Sequence, residues 1–193
     1  YEELTASEKE DLVSYWALDE AEGDAGNMVV DKVDETLGSE LLTNGDMELD
    51  ASWADSGTPS TNESSTEQVH GGTYSRKVVT DGSTEGITQT GITTVNGNRY
   101  KINFWIYPED DSDITVSFLR GDGAAYLTIN GSNSYNITGL TTGAWNNVVI
   151  FTDVEANQGS SGELSIYQST SGRTYFIDDV SIKSVDGNAG SLV

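Results

Sequence analysis

Beyond residue 40 the chain alternates with a period of two. Tyr100, Ile102, Phe104 and Ile106 interleave with Lys101, Asn103, Trp105 and Tyr107, and Ile114, Val116 and Phe118 interleave with Thr115 and Ser117. Such alternation gives a strand one apolar face for a core and one open face. Further strands are expected at 74–79, 86–90, 124–129, 133–138, 145–153, 163–168 and 173–184. Turn signals at Asn96-Gly97-Asn98, Gly121-Asp122-Gly123, Asn130-Gly131-Ser132 and Thr142-Gly143 separate them. Many short strands with Gly-rich turns imply an all-β, antiparallel β-sandwich, best fitted by a jelly roll. The Ser/Thr/Gly run at 56–66 reads as a loop. Two acidic segments, Leu41 to Glu48 and Tyr175 to Ile182, frame the patterned region like the opening and closing edges of one sandwich.

Ahead of residue 40 the pattern is different. Ser7 and Glu10 form a capping box, Leu12, Val13 and Trp16 make an apolar stripe, and Gly23 stops it, so a helix is expected over 5–20. The segment Leu12 to Glu20 also resembles the opening strand of laminin-G/concanavalin-like repeats and junctions in multi-module phage virion proteins, which competes with the helix. The expected division is a partly helical docking arm at 1–39, a jelly-roll domain at 40–185 and a linker at 186–193. The start at Tyr1 and the linker-like Asp186-Gly187-Asn188-Ala189-Gly190 lead us to expect an excerpt from a longer protein.

Nine basic residues against 32 acidic ones give a net charge of −23, which repels phosphate backbones and anionic membrane surfaces. With no cysteine, disulfide and thiol chemistry are absent. No apolar run approaches the roughly 18 residues of a membrane helix. His70 is the only histidine, too little for a zinc site or a nucleophile triad, and no spacing among the 32 acids singles out an acid and a base. A non-catalytic module is expected.

Leu41 to Trp53, His70-Gly71-Gly72-Thr73-Tyr74-Ser75-Arg76-Lys77-Val78, Tyr100-Lys101-Ile102-Asn103-Phe104-Trp105 and Ile177-Asp178-Asp179-Val180 occur in one order and spacing. Together they resemble the family 4/9/22-type carbohydrate-binding modules, which are galactose-binding-like jelly rolls. The resemblance covers about residues 40–185. It implies a structural Ca²⁺ where the first strand meets the last, with Asp46, Glu48, Asp178 and Asp179 as candidate ligands and backbone carbonyls from 72–75. Calcium takes six to eight hard oxygens in a flexible cage, which such a mixture supplies.

Sugar binding needs aromatic platforms beside amides or carboxylates. Trp105 and Tyr107 with Asn103 stand opposite the core face of their strand, and Tyr126, Tyr135, Trp145 and Tyr167 are further candidates. Against this, strand aromatics commonly pack, and Trp53, Trp105 and Trp145 also read as structural. Two functions follow. The chain is read first as a structural, decorating or adhesive component of a virion or surface assembly with glycan-binding ancestry, extracellular or on a virion surface, with other subunits or its own copies as partners. The alternative is a carbohydrate-binding module that holds a glycan-active enzyme on polysaccharide.

Overall fold

A computed structural model describes residues 36–110, 113–120, 126–153 and 161–185. The helix expected over 5–20, most of the arm at 1–39 and the segment 186–193 lie outside them. The strands are β1 Leu37–Glu40, β2 Ala54–Ser56, β3 Thr61–Ser65, β4 Ser75–Val79, β5 Glu85–Ile92, β6 Arg99–Pro108, β7 Ile114–Leu119, β8 Tyr126–Leu127, β9 Ser134–Ile137, β10 Asn146–Phe151, β11 Gly162–Gln168 and β12 Thr174–Val185. They form two six-stranded sheets. The first has the order β10-β6-β12-β4-β3 with β1 also on β12, and the second β2-β5-β11-β7-β8 with β9 also on β7. The ladders along both paths are antiparallel. No helix occurs among the described residues.

The alternation decides which face each strand buries. From β6, Tyr100, Ile102, Phe104 and Ile106 meet Ile87, Val116, Phe118, Leu164 and Ile166 of the second sheet in one core. Fully burying a side chain of this size contributes about 1.5–3 kcal/mol before conformational entropy is counted. The two large buried phenols keep their polar tips satisfied, as buried tyrosines must. Tyr100 accepts from the Val95 N–H at 2.6 Å, and the Tyr175 hydroxyl donates to the Glu85 carbonyl at 3.2 Å. Burial accordingly pushes the Tyr175 pKa up, with the Glu85 charge adding to it.

The run at 56–66 departs from the loop expected there. Its Thr61–Ser65 is β3, paired with β4 at the edge of the first sheet. An edge strand packs little, so Thr-Asn-Glu-Ser-Ser forms a ladder without an apolar signal. What secures this edge is buried Arg76 of β4. It donates to the Asp50 carboxylate at 2.6 Å and to the Asn62 carbonyl at 2.8 Å.

The two acidic segments do meet. β12 carries a bulge between Asp178 and Ser181, with Asp179 in a left-handed conformation at φ 50°. β4 covers β12 up to Ile177, while Leu41 bonds to it again at Ile182. Between these points the Gly45 carbonyl accepts from Val180 N–H at 2.8 Å. Only glycine fits there, because a Cβ at residue 45 would lie 2.0 Å from the Val180 oxygen.

Candidate functional site

Among the residues of β6 that point away from the core, Asn103, Trp105 and Tyr107 are half-buried on the outer face of the first sheet. Register places Asn147 and Asp178 beside Trp105, and Phe176 beside Tyr107. Trp145, just ahead of β10, reaches the same face and meets Tyr107 edge-on with ring centroids 5.7 Å apart. Phe176 lies beneath, 6.1 Å from Tyr107, with the Lys77 ammonium 5.7 Å from its ring. His70 completes the tract. Its ring stacks on Trp105 at 3.9 Å and 18°, and meets Trp145 at 5.5 Å and 69°. Four rings thus form one continuous surface, bordered by the amide pair Asn147 to Asn103 at 3.1 Å.

His70 reaches that position because two carboxylates from distant segments hold its loop. Asp178 is buried, and one of its oxygens accepts the N–H groups of His70 and Gly71 at 3.0 and 3.1 Å. Its other oxygen accepts from Asp179 N–H at 2.8 Å. Glu48 accepts the N–H groups of Thr73 and Tyr74 at 2.7 and 3.0 Å. Asp179 lies 2.7 Å from His70 Nδ1, with the His70 side chain 27% exposed. The Ser75 hydroxyl closes the loop on the Gln68 carbonyl. These environments move the two carboxyls in opposite directions. The Tyr74 and Thr73 N–H groups hold Glu48 below its ordinary pKa, whereas burial raises Asp178 despite its three N–H partners.

The four acids expected around calcium are therefore divided. Glu48 and Asp178 close on the same loop from two sides, while Asp179, which pairs with His70, also lines a recess with Asp46, Glu40, Asn44 and Lys183. Among the described residues no three His, Cys, Asp or Glu side chains are grouped to hold a metal.

The expected sugar-contacting residues are divided too. Asn103, Trp105 and Tyr107 share the tract. Tyr126 and Tyr167 belong to strands of the second sheet, and Tyr135, also there, packs toward the core. They cannot assist Tyr107 on one face. Trp53 is core, as its packing role requires. His70, Phe176 and Asn147 are additions the sequence reading did not make, and Trp145 joins the site despite its structural reading. A signal was available for Trp145, since it precedes a strand antiparallel to the one bearing Tyr107. None was available for His70, whose placement rests on bonds to residues more than a hundred positions away.

The backbone is similar to those of solved carbohydrate-binding modules. With the CBM22-1 xylan-binding domain of Paenibacillus barcinonensis Xyn10C it has a TM-score of 0.56 at 16% identity, over 77% of this chain and 96% of the other. The fold is an all-β sandwich of two antiparallel sheets, similar to the folds of these modules. The same module-sized fold recurs inside larger proteins. An arabinose-bound MgGH51 α-L-arabinofuranosidase matches at TM-score 0.59 and 18% identity, over 78% of this chain and 27% of its own. Tailspike protein 4 of bacteriophage CBA120 matches at 0.57 and 17%, over 76% and 21%. No protein-family model matches the sequence, and no curated protein sequence matches it either. Among the described residues no helix is long and apolar enough to cross a membrane.

Proposed function

We propose that the chain is a non-catalytic module that binds a glycan on the outer face of its first sheet and acts outside the cell or on a particle surface. The observation that carries this is the ring tract of Tyr107, Trp145, His70 and Trp105 on an otherwise polar, acidic molecule. Pyranose C–H faces stack on such rings, and Asn103 with Asn147 offers amides to hydroxyls. The test is retention on a glycan array by wild type, Tyr107→Ala and Trp145→Ala, with folding followed by thermal melts. Losing one stacking ring weakens binding about tenfold. Equal retention by both folded variants would remove the tract from the site.

The reading as a structural or decorating component of a virion or surface assembly, with subunit partners or self-association, is supported by the likeness to part of a phage tailspike chain. Its test is a copy number measured in intact particles. Structural calcium at Glu48 and Asp178 is a second proposal, supported by two distant carboxylates closing on one loop. An ion bound only by the native state raises the melting temperature by mass action, so exhaustive chelation should lower it. Elemental analysis finding no calcium, with an unchanged melt, would leave these acids as anchors alone.

A further inference from the structure

On the second sheet, away from the ring tract, a cavity of about 340 Å³ opens between the start of β7, β9 and the turn joining β11 to β12. Asp113, Thr115, Asn136, Gln168, Thr170 and Arg173 line it. This volume is within the range of small-ligand sites, about 300–1,000 Å³. Its frame is fixed. Buried Thr80 bonds the turn four times: its N–H to the Arg173 carbonyl at 2.9 Å, its carbonyl from Gly172 N–H at 2.7 Å, and its hydroxyl to the Thr170 carbonyl at 2.8 Å and from Arg173 N–H at 3.0 Å. On the opposite wall Asn136 donates to Asp113 at 3.1 Å and accepts from the Thr115 hydroxyl at 3.4 Å.

Two donors at this cavity have no acceptor. Gln168 is 3% exposed, its Oε1 accepts from Ser169 N–H at 2.9 Å, and its Nε2 has no partner. Arg173 Nε is likewise buried without one, and the Asp110 carboxylate stands 3.9 Å from Nη1, at the limit of an ion pair. A buried donor without an acceptor costs about 1–3 kcal/mol. Two of them at one cavity call for a ligand that supplies oxygens. The terminal torsion of glutamine is broad, so the amide can turn toward such an oxygen at little cost. The guanidinium edge favours a carboxylate, which it can engage with two parallel N–H bonds. The Asp113 carboxylate opposite is an acceptor for hydroxyls.

We propose that this cavity is a second binding site, specific for a uronic-acid residue. The carboxylate of the sugar is held by Arg173 and Gln168 Nε2, and its ring hydroxyls face Asp113, Asn136 and Thr115. The site does not depend on the ring tract of the first sheet, so the module can engage an acidic glycan independently of any neutral one.

The test titrates the full chain with glucuronic acid and galacturonic acid, each against its neutral hexose, by calorimetry. The expected result is saturable uronate binding that is unchanged in Tyr107→Ala and weakened about tenfold or more in Arg173→Gln, the cost of losing hydrogen bonds to a charged group. Gln168→Leu, which removes the unpartnered Nε2 together with the Oε1 that accepts the Ser169 N–H, should abolish binding in a variant that thermal melts show to be folded. Three results would overturn the proposal: no saturable uronate binding, equal affinity for the neutral hexose, or loss of binding in Tyr107→Ala rather than in Arg173→Gln. Failure here leaves the ring tract untouched, because Tyr107→Ala reports on that tract separately.

Discussion

Replacing Asp178 by Ala tests whether one buried carboxylate fixes the geometry of the ring tract. The substitution strips acceptors from three N–H groups, those of His70, Gly71 and Asp179. Hydrogen bonds to charged groups contribute about 1.5–3 kcal/mol each. The gross loss is reduced by relief of the carboxylate's own burial cost, which its raised pKa reports, and by water entering the vacated space. A net loss of about 3 kcal/mol remains, and for a unit of this size it lowers the melting temperature by about 6–12 °C.

The pH dependence carries a sign. Burial places the folded pKa of Asp178 above that of the unfolded chain. The associated stabilisation is then fully present below the unfolded value, about 4, and is lost as the pH rises through the raised folded value. Alanine has no such titration. The advantage of wild type over Asp178→Ala should therefore narrow as pH rises from about 4, measured by thermal melts in metal-free buffer. Calcium at Asp178 would invert the trend, since a cation favours the charged carboxylate. A melting temperature lowered by less than about 2 °C, or an advantage that widens with pH in chelator, would refute the anchoring role.

Glu48 should show the opposite pH dependence. Its folded pKa is depressed by the Tyr74 and Thr73 N–H groups, so the advantage of wild type over Glu48→Ala is present above the ordinary glutamate pKa and is lost as pH falls through the depressed one. Melts of the two proteins across the acid range check this, and parallel curves would refute it. Gly45→Ala forces a Cβ to within 2.0 Å of the Val180 oxygen and should cost at least about 3 kcal/mol in denaturant unfolding. A loss below 1 kcal/mol, on the order of ordinary surface change, would show that the 45–180 contact is loose.

The fold was legible where physics is local. Alternation in β6 and β7 needs only neighbours in sequence to reveal a buried face, and the bounds of β4, β10 and β11 fell close to those expected. β3 was hidden because pairing alone holds its polar residues at an edge. Phe176 was hidden because Tyr175, Phe176 and Ile177 are apolar in succession, so the period of two vanishes where the outer face is also covered. The site was legible only along β6. Asn103, Trp105 and Tyr107 belong to one strand, while Tyr126, Tyr135 and Tyr167 are the same kinds of side chain in the other sheet. Hydrophobicity marks an aromatic as buried or open but does not assign it to a layer. The bulge at Asp178, which brings the loop of His70 onto Trp105, is a register shift between distant strands and leaves no local mark.

That placement gives His70 a definite and testable part. At 3.9 Å and 18° its ring covers one face of Trp105, the surface a pyranose would otherwise occupy, and Asp179 holds it there at 2.7 Å. The neighbouring Tyr107 and Trp145 meet edge-on, so neither is covered in the same manner by the other. On the proposed reading, Tyr107 and Trp145 are the rings open to a sugar, with Trp105 beneath the imidazole. His70→Ala should uncover the indole while Asp178 still anchors the loop through backbone N–H groups, which alanine retains. The expected result is a folded variant whose retention on the glycans bound by wild type is equal or greater, with increased quenching of Trp fluorescence by acrylamide. If retention instead falls as far as in Tyr107→Ala, the imidazole is itself a contact, and the sugar lies on His70 with Trp105 as its support.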